Sequence, residues 1–366
     1  MNNVRKKKFA RFLSKFYIVA AVLFLISGCS SKPEADKLSM TLKSNFNMLP
    51  EKPQFVLYFN FKSMKGSEFW KLNISDSLIN SERTFGTMLN IFKDATGATL
   101  SDGLDEMYFA NSWTGENAII LKGIFDKNKL FNYTGKDSLY RKTSNPDGTV
   151  IFTHLQSGLI FFLKDNYTIC ASNYPKQIEL MKDARDTTNG GLLNNTDMLK
   201  AIEAIIYKDN LWLVTTEKTF IRGIFTNFTD INTERELKPE NANIDSLMNR
   251  KSSDSLSKTE DFLSNKIQDK INSFSLSGKM KKELDIIIQF ECKDDESAVF
   301  ISNLFNGMIA IAKLTSTMKS RDEKVNTAAL KMLDNLNISS YDNSSYINAN
   351  ITQDNIENFR KFYSGN

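Results

Sequence analysis

A single histidine, His154, stands in a chain of 366 residues. That scarcity excludes a zinc site built on clustered imidazoles, and any Ser-His-Asp machinery would have to run through this one ring. No G-x-S-x-G elbow accompanies it. In Thr-Val-Ile-Phe-Thr-His it alternates with Phe152 along a strand that ends at a turn, so a solvated or hydrogen-bonded strand histidine is expected. Cysteine is nearly as rare: Cys29, Cys170 and Cys292. Three cysteines cannot make a disulfide framework. Whether Cys170 and Cys292 meet is open from sequence, with two small buried residues at strand ends the simpler reading.

The N-terminal apolar stretch is also short. Phe16 to Ile26 is eleven residues without a charge, against the roughly 20 that a membrane-spanning helix needs. It follows Arg5, Lys6, Lys7, Lys8, Arg11 and Lys15, with no acidic residue among the first fifteen positions. A cationic start, a short apolar segment and small residues at its end form the pattern of a secretory signal peptide. Removing residues 1–28 takes away six of the 47 basic residues and none of the 43 acidic ones, leaving 41 against 43. The positive balance therefore belongs to the leader. A clustered basic face, which nucleic-acid binding requires, is not indicated, and no nucleic-acid partner is expected.

The leader ends in Ile26-Ser27-Gly28-Cys29. These four residues resemble the lipobox of bacterial lipoprotein precursors. The resemblance implies cleavage between Gly28 and Cys29, with a thioether-linked diacylglycerol on the Cys29 sulfur. Each buried CH₂ of an acyl chain contributes about 0.8 kcal/mol, so two or three chains hold a protein stably to a bilayer. In such precursors a Ser after the Cys, here Ser30, is compatible with sorting to an outer membrane. The expected location is the bacterial cell envelope, lipid-anchored, facing the periplasm or the surface.

Beyond Cys29, residues 29–50 read as the lipidated residue and a flexible tether. Folding signals start at Phe55, where Phe55, Leu57, Phe59 and Phe61 fall on one strand face. Helical spacing follows over 63–72 and 81–96. Strand patterns then appear at 105–113, 117–125, 149–155, 159–164 and 167–171, separated by turn residues. Helices are expected at 126–133 and 175–183. The second half repeats this order loosely. It has a strand at 210–215, a helix at 217–228, a hairpin over 271–280 and 283–291, and a long helix from 294 to about 315. A helix near 323–336, a hairpin turning at Asp342-Asn343-Ser344 and a helix at 353–363 follow. The expected fold class is α+β, as two loosely repeated modules of antiparallel sheet with helices packed on one face. The modules span 51–190 and 195–366, joined at Thr-Thr-Asn-Gly-Gly, and 229–260 is a polar mobile insertion. This layout resembles bacterial secreted and lipid-anchored proteins built from two α+β modules, a resemblance that brings no active site with it.

Motifs for chemistry fail on inspection. Thr134-Gly135-Lys136-Asp137 lacks the first P-loop glycine, since Leu130 stands there, and the hydroxyl after the Lys. Asp186 to Asp197 has EF-hand length, yet Gly190 falls on a ligand position and the closing residue is Asp. Asp294, Asp295 and Glu296 are accounted for by a helix N-terminus. Trp70, Trp113 and Trp212 sit near element ends, where tryptophans can rim a groove. No metal or cofactor is expected. The sequence reads as a non-enzymatic, membrane-anchored envelope lipoprotein with a binding or structural role. Its partners are the membrane through Cys29 and an envelope protein, glycan or lipid. The alternative is an envelope hydrolase that uses carboxylates or His154 without a linear motif.

Overall fold

The computed structural model describes residues 38–74, 92–99, 102–112, 115–185, 190–205, 210–230, 267–319, 330 and 333–363. Twelve strands form one antiparallel sheet. They are β1 (Phe55–Asn60), β2 (Leu104–Asn111), β3 (Asn117–Gly123), β4 (Tyr140–Ser144), β5 (Val150–His154), β6 (Ile160–Asp165) and β7 (Thr168–Ser172). The second half adds β8 (Leu211–Thr215), β9 (Ile271–Met280), β10 (Leu284–Cys292), β11 (Leu336–Tyr341) and β12 (Ser344–Ile351). Across the sheet the order is β11-β12-β10-β9-β8-β1-β2-β3-β7-β6-β5-β4. The fold is α+β. Both halves begin with a strand and a hairpin beside it. In the first half a four-strand meander, β4 to β7, then docks through β7 on β3, and in the second a single hairpin docks through β12 on β10. The halves meet where β1 pairs antiparallel with β8, Tyr58 opposite Trp212.

The register explains the core. One cross-strand row runs Ile338, Ile347, Ile288, Leu276, Leu213, Leu57, Phe109, Ile119, Ala171, Phe161, Phe152. It is apolar from β11 to β5 and stops at Lys142 on the edge strand β4. Because side chains alternate, the whole row faces one side, here called the front. Helices cover it along its width. They are α2 (Phe61–Gly66), α3 (Glu68–Asn73), α4 (Lys127–Lys136), α7 (Lys218–Asp230), α8 (Asp295–Lys319) and α9 (Gln353–Tyr363). Phe61, Phe69 and Trp70 fill one front cluster; Phe225, Phe274, Phe290 and Phe305 fill another.

The back face differs between the halves. Over the first half it is apolar and carries a second helical layer: α1 (Met40–Phe46), α5 (Pro175–Asp183) and α6 (Thr196–Glu203). Leu42 and Phe46 of α1, Ile178 and Met181 of α5, and Met198 and Ile202 of α6 meet Val56, Tyr58, Tyr108, Ile120 and Trp212 there. Pro175 sits in the first turn of α5, where its missing N–H is not needed. At the other end of α5, the Lys164 ammonium donates to the carbonyls of Met181 and Ala184, each at 2.8 Å. A cation there satisfies acceptors that the helix leaves open.

Two expectations are corrected. Residues 29–50 are not all tether: from Leu38 the chain is folded, and Phe46 and Leu49 are fully buried. Leu42 and Phe46 stand one helical turn apart, and Met48 and Leu49 follow, a spacing that outweighs the polar residues around them. Nor is the Gly-Gly pair at 190–191 a loose linker. Gly191 opens a 3-10 turn (Gly191–Asn194) pressed on the backbone of Leu49, and Leu192 N donates to Leu49 O at 3.0 Å. Gln177 Nε2 reaches Met48 O at 2.7 Å and Asn195 Nδ2 reaches Glu51 O at 3.0 Å, so side-chain amides tie 48–51 to the later chain. The insertion at 229–260, beyond Asp230, lies outside the described residues, as do most of the helices expected at 81–96 and 323–336.

Candidate functional site

The second half of the back face carries polar residues where the first half carries a core. One row reads Asn337, Asn348, Ile287, Ser277, then Trp212, Tyr58, Tyr108, Ile120, Cys170, Phe162. Its chemistry changes between Ser277 on β9 and Trp212 on β8. The next row contains Lys279, Asp285 and Asn350, with Asp285 opposite both partners. Toward the other end come Ser275, Gln289, Tyr346 and Ser339. Part of this face is covered: α6 packs on β8 and β9, and Ser275, Ser277, Gln289 and Tyr346 are buried, whereas Lys279, Asp285, Asn335 and Asn337 are exposed. Among the described residues α7, α8 and α9 lie on the front.

The polar face hollows into an open depression of about 430 Å³, lined by Lys279, Asp285, Ile287, Asn335, Asn337, Asn348 and Asn350 and by the chain at Ile286 and Ala349. Its amides are held by bonds within the wall. Asn350 Nδ2 donates to Asp285 Oδ1 at 2.7 Å. Asn335 Nδ2 donates to Asn355 Oδ1 at 3.3 Å, and that same oxygen accepts Thr352 N at 2.9 Å at the start of α9. The helix start therefore fixes the rim. Among the described residues no group of three or more His, Cys, Asp or Glu stands close enough to hold a metal ion.

The residues singled out from sequence fall elsewhere. Gly28 and Cys29 lie outside the described residues, as does Trp113. Trp70 and Trp212 rim no groove: both are buried, Trp212 stacked on Tyr58 at 5.2 Å between centroids. His154 ends β5. Its Nδ1 lies 2.7 Å from Ser157 Oγ and accepts Ser157 N at 3.3 Å, so Nδ1 is the bare nitrogen and the ring closes the β5–β6 turn. Asp294 caps α8, its Oδ1 accepting Ser297 N at 2.8 Å, and these bonds hold its carboxyl below the usual range. Cys170 and Cys292 are both free and buried. Cys170 Sγ touches Met48 Sδ at 3.9 Å, and Cys292 Sγ lies 3.6 Å from Phe290 O.

Burial pushes both thiols up to about 12, from an ordinary value of 9.0; at Cys292 the charges of Glu291 and Asp294 add to it. The thiolate is the reactive form. A thiol reagent at about pH 8 is therefore expected to leave Cys170 and Cys292 untouched in the folded chain and to modify both in urea. Because the unfolded chain loses these protons first, stability falls as pH rises from about 9 toward 12, and the urea midpoint drops over that window. Modification of either residue at its unfolded rate under native conditions would contradict the burial described.

The depression was legible only in part. Asp285, Ile287, Gln289 and Glu291 show as one alternating set in β10, but β12 pairs with β10 and only then with β11. The signal for the rest is asparagine at period two in β12, Asn348 and Asn350, joined by Asn337 in β11.

No family model matches the sequence. No curated protein matches it either. Solved structures do. Crystal form III of TP0453 matches over 85% of this chain and 95% of its own, at 9% identity and a TM-score of 0.43. Crystal form IV matches over 86% and 94%, at 9% identity and a TM-score of 0.44. A likeness of that size says nothing about a site.

Proposed function

We propose that the protein is a non-enzymatic lipoprotein of the bacterial envelope, anchored through Cys29, which holds a binding face away from the bilayer. The observation that carries the membrane part is the outer surface of α8. That helix is apolar on two sides. Ala298, Ile301 and Phe305 pack inward on the sheet, while Val299, Phe300, Ile311 and Leu314 are between 43% and 63% exposed. Its segment Asp295–Leu314 has a mean hydropathy of 1.4, long and apolar enough by length and composition to cross a membrane. The inward stripe, packed on β10, β11 and β12, makes it a helix that lies along a surface rather than one that spans.

Exposed apolar patches mark contact with a partner or a membrane. For a chain held by acyl groups the bilayer is the nearest apolar phase. Lys270, stacked 5.3 Å over the Phe300 ring, places a cation at one end of the patch, while Lys313 near the other end is paired with Asp334 at 2.6 Å. A lysine not paired with a carboxylate contributes about 1 kcal/mol near an anionic surface.

The test has two arms. In a bacterial host fed radiolabelled palmitate, the wild-type chain takes up label and sediments with membranes, whereas Cys29→Ser remains uncleaved and unlabelled. Labelling of that variant, or none of the wild type, would sink the anchor. For α8, a chain starting at Ser30 is mixed with anionic phospholipid vesicles. The described body forms its own compact unit from Ala35 onward, which makes this chain usable. Flotation is expected, and Ile311→Asn with Leu314→Asn should abolish it. Equal flotation of the double variant removes α8 from the contact.

A further inference from the structure

We propose that the back-face depression binds a neutral, hydroxyl-rich ligand, a short glycan chain. This rests on the binding reading above but is independent of the anchor.

Asn335, Asn337, Asn348 and Asn350 provide the wall, with Lys279 and Asp285 paired across β9 and β10. A side-chain amide offers two donors and one acceptor in a plane. A sugar hydroxyl both donates and accepts, so an amide can serve either role toward neighbouring hydroxyls. Strand geometry sets the spacing: residues opposite each other stand roughly 4.5–5.5 Å apart on one face. Asn348 faces Asn337, and Asp285 faces Asn350, so hydrogen-bonding groups line up in pairs.

Charge argues against other ligand classes. One lysine opposite one aspartate leaves no net charge, whereas phosphate-bearing ligands and nucleic acids need clustered cations. A metal needs grouped acidic or imidazole ligands, and among the described residues none are grouped. The lining is mixed: the amides of Asn335, Asn337, Asn348 and Asn350 stand beside Ile286, Ile287 and Ala349, an apolar floor on which the carbon face of a sugar ring can rest. At about 430 Å³ the depression lies toward the lower end of small-ligand sites.

Preorganisation favours binding. Asn350 is already held by Asp285, and Asn335 by Asn355, so the ligand orders few side chains on arrival. Position suits the same occupant. Asn348 and Asn350 point to the opposite side of β12 from Ile347, which belongs to the front cluster under α8. With α8 against the bilayer, the depression opens away from it.

The experiment is calorimetric titration of the full-length chain in detergent micelles with chitotetraose and, separately, cellotetraose. Saturable binding of either supports the proposal; binding of the first alone assigns acetamido sugars. Asn348→Ala and Asp285→Ala should each weaken association about tenfold. Asn348→Asp keeps the side chain's size and removes a donor, and should weaken binding without loss of fold, checked by an unchanged urea midpoint. Lys142→Ala on the distant edge strand should leave binding unchanged. Two results overturn the proposal: no saturation with either sugar, or binding that all three depression variants leave intact. Membrane sedimentation of the wild type is measured alongside. Sedimentation without sugar binding sinks the ligand class alone, and sugar binding without sedimentation sinks the anchor alone.

Discussion

Trp212→Ala should remove about 3–5 kcal/mol of stability, the usual cost of deleting a buried large aromatic. Trp212 is fully buried on the back of β8. It stacks on Tyr58 at 5.2 Å and meets the edge of Phe46 at 6.3 Å. Tyr58 in turn lies 4.8 Å from Tyr108. Such ring pairs contribute about 0.5–1.5 kcal/mol beyond the area they bury. Three parts of the chain meet at this residue: α1 through Phe46, the first half through Tyr58 and Tyr108, and the second half through β8. Against a typical total of about 5–15 kcal/mol, the loss is a large fraction. The urea midpoint should fall with an unchanged slope, and Trp212→Phe, which keeps a ring there, should lose clearly less. A Trp212→Ala chain with wild-type midpoint would show that β1 and β8 do not depend on this contact.

How far the sequence discloses this arrangement depends on the distance over which each contact acts. β1 follows from its own alternation, β6 and β7 from the turn residues around them, and α5 from a local start signal, Pro175. β4 was not expected, because Tyr-Arg-Lys-Thr-Ser has no apolar face to alternate. It is a strand by pairing with β5 at the sheet edge, and its charges suit an edge that must not pair further. The fusion of two modules into a single sheet was hidden for another reason. It depends on β1 and β8 meeting in register, and no residue in either strand specifies its partner. The depression shares that difficulty, since Asp285 and Asn350 meet only once β12 inserts between β10 and β11.

The two faces of the second half differ in chemistry. Leu276, Ile288 and Ile347 point to the front, under α8, while Ser277, Ile287 and Asn348 point to the back. One sheet thus separates an apolar helical surface from a polar one that is buried at Ser277 and Tyr346 and exposed at Lys279 and Asp285. In the first half the same back rows are apolar and covered by α1 and α5, with α6 continuing the layer over β8 and β9, so no comparable polar face exists among the residues described there.

Gly191→Ala should cost about 2–5 kcal/mol, and the reason lies in two separable effects. Gly191 has φ +50°, in the left-handed region, where a side chain costs about 1–2 kcal/mol. A Cβ there would also stand 2.2 Å from Leu49 O and 2.7 Å from Asn47 O. Those are backbone atoms, so 47–49 would have to move, and forcing extra atoms into a packed site costs about 1–3 kcal/mol. Two neighbouring cases isolate the contributions. Gly148 has φ +84° and open space around it, so Gly148→Ala should show the backbone cost alone. Gly190 has φ −156°, which any residue adopts, and its Cβ would meet only the Asn47 side-chain oxygen at 2.9 Å. Gly190→Ala should therefore cost only the small shift of the buried Asn47 amide, which donates to Arg185 O at 2.8 Å. In Gly191→Ala the bond from Leu192 N to Leu49 O is lost, α1 loosens from the back face, and limited proteolysis should cut within 40–50 before any other described segment. Urea midpoints for the three variants rank the effects: Gly191 far below Gly148, and Gly148 below Gly190. Equal midpoints for the Gly191 and Gly148 variants would mean that residues 47–49 are not held against the 3-10 turn, and that α1 can leave the sheet at little cost.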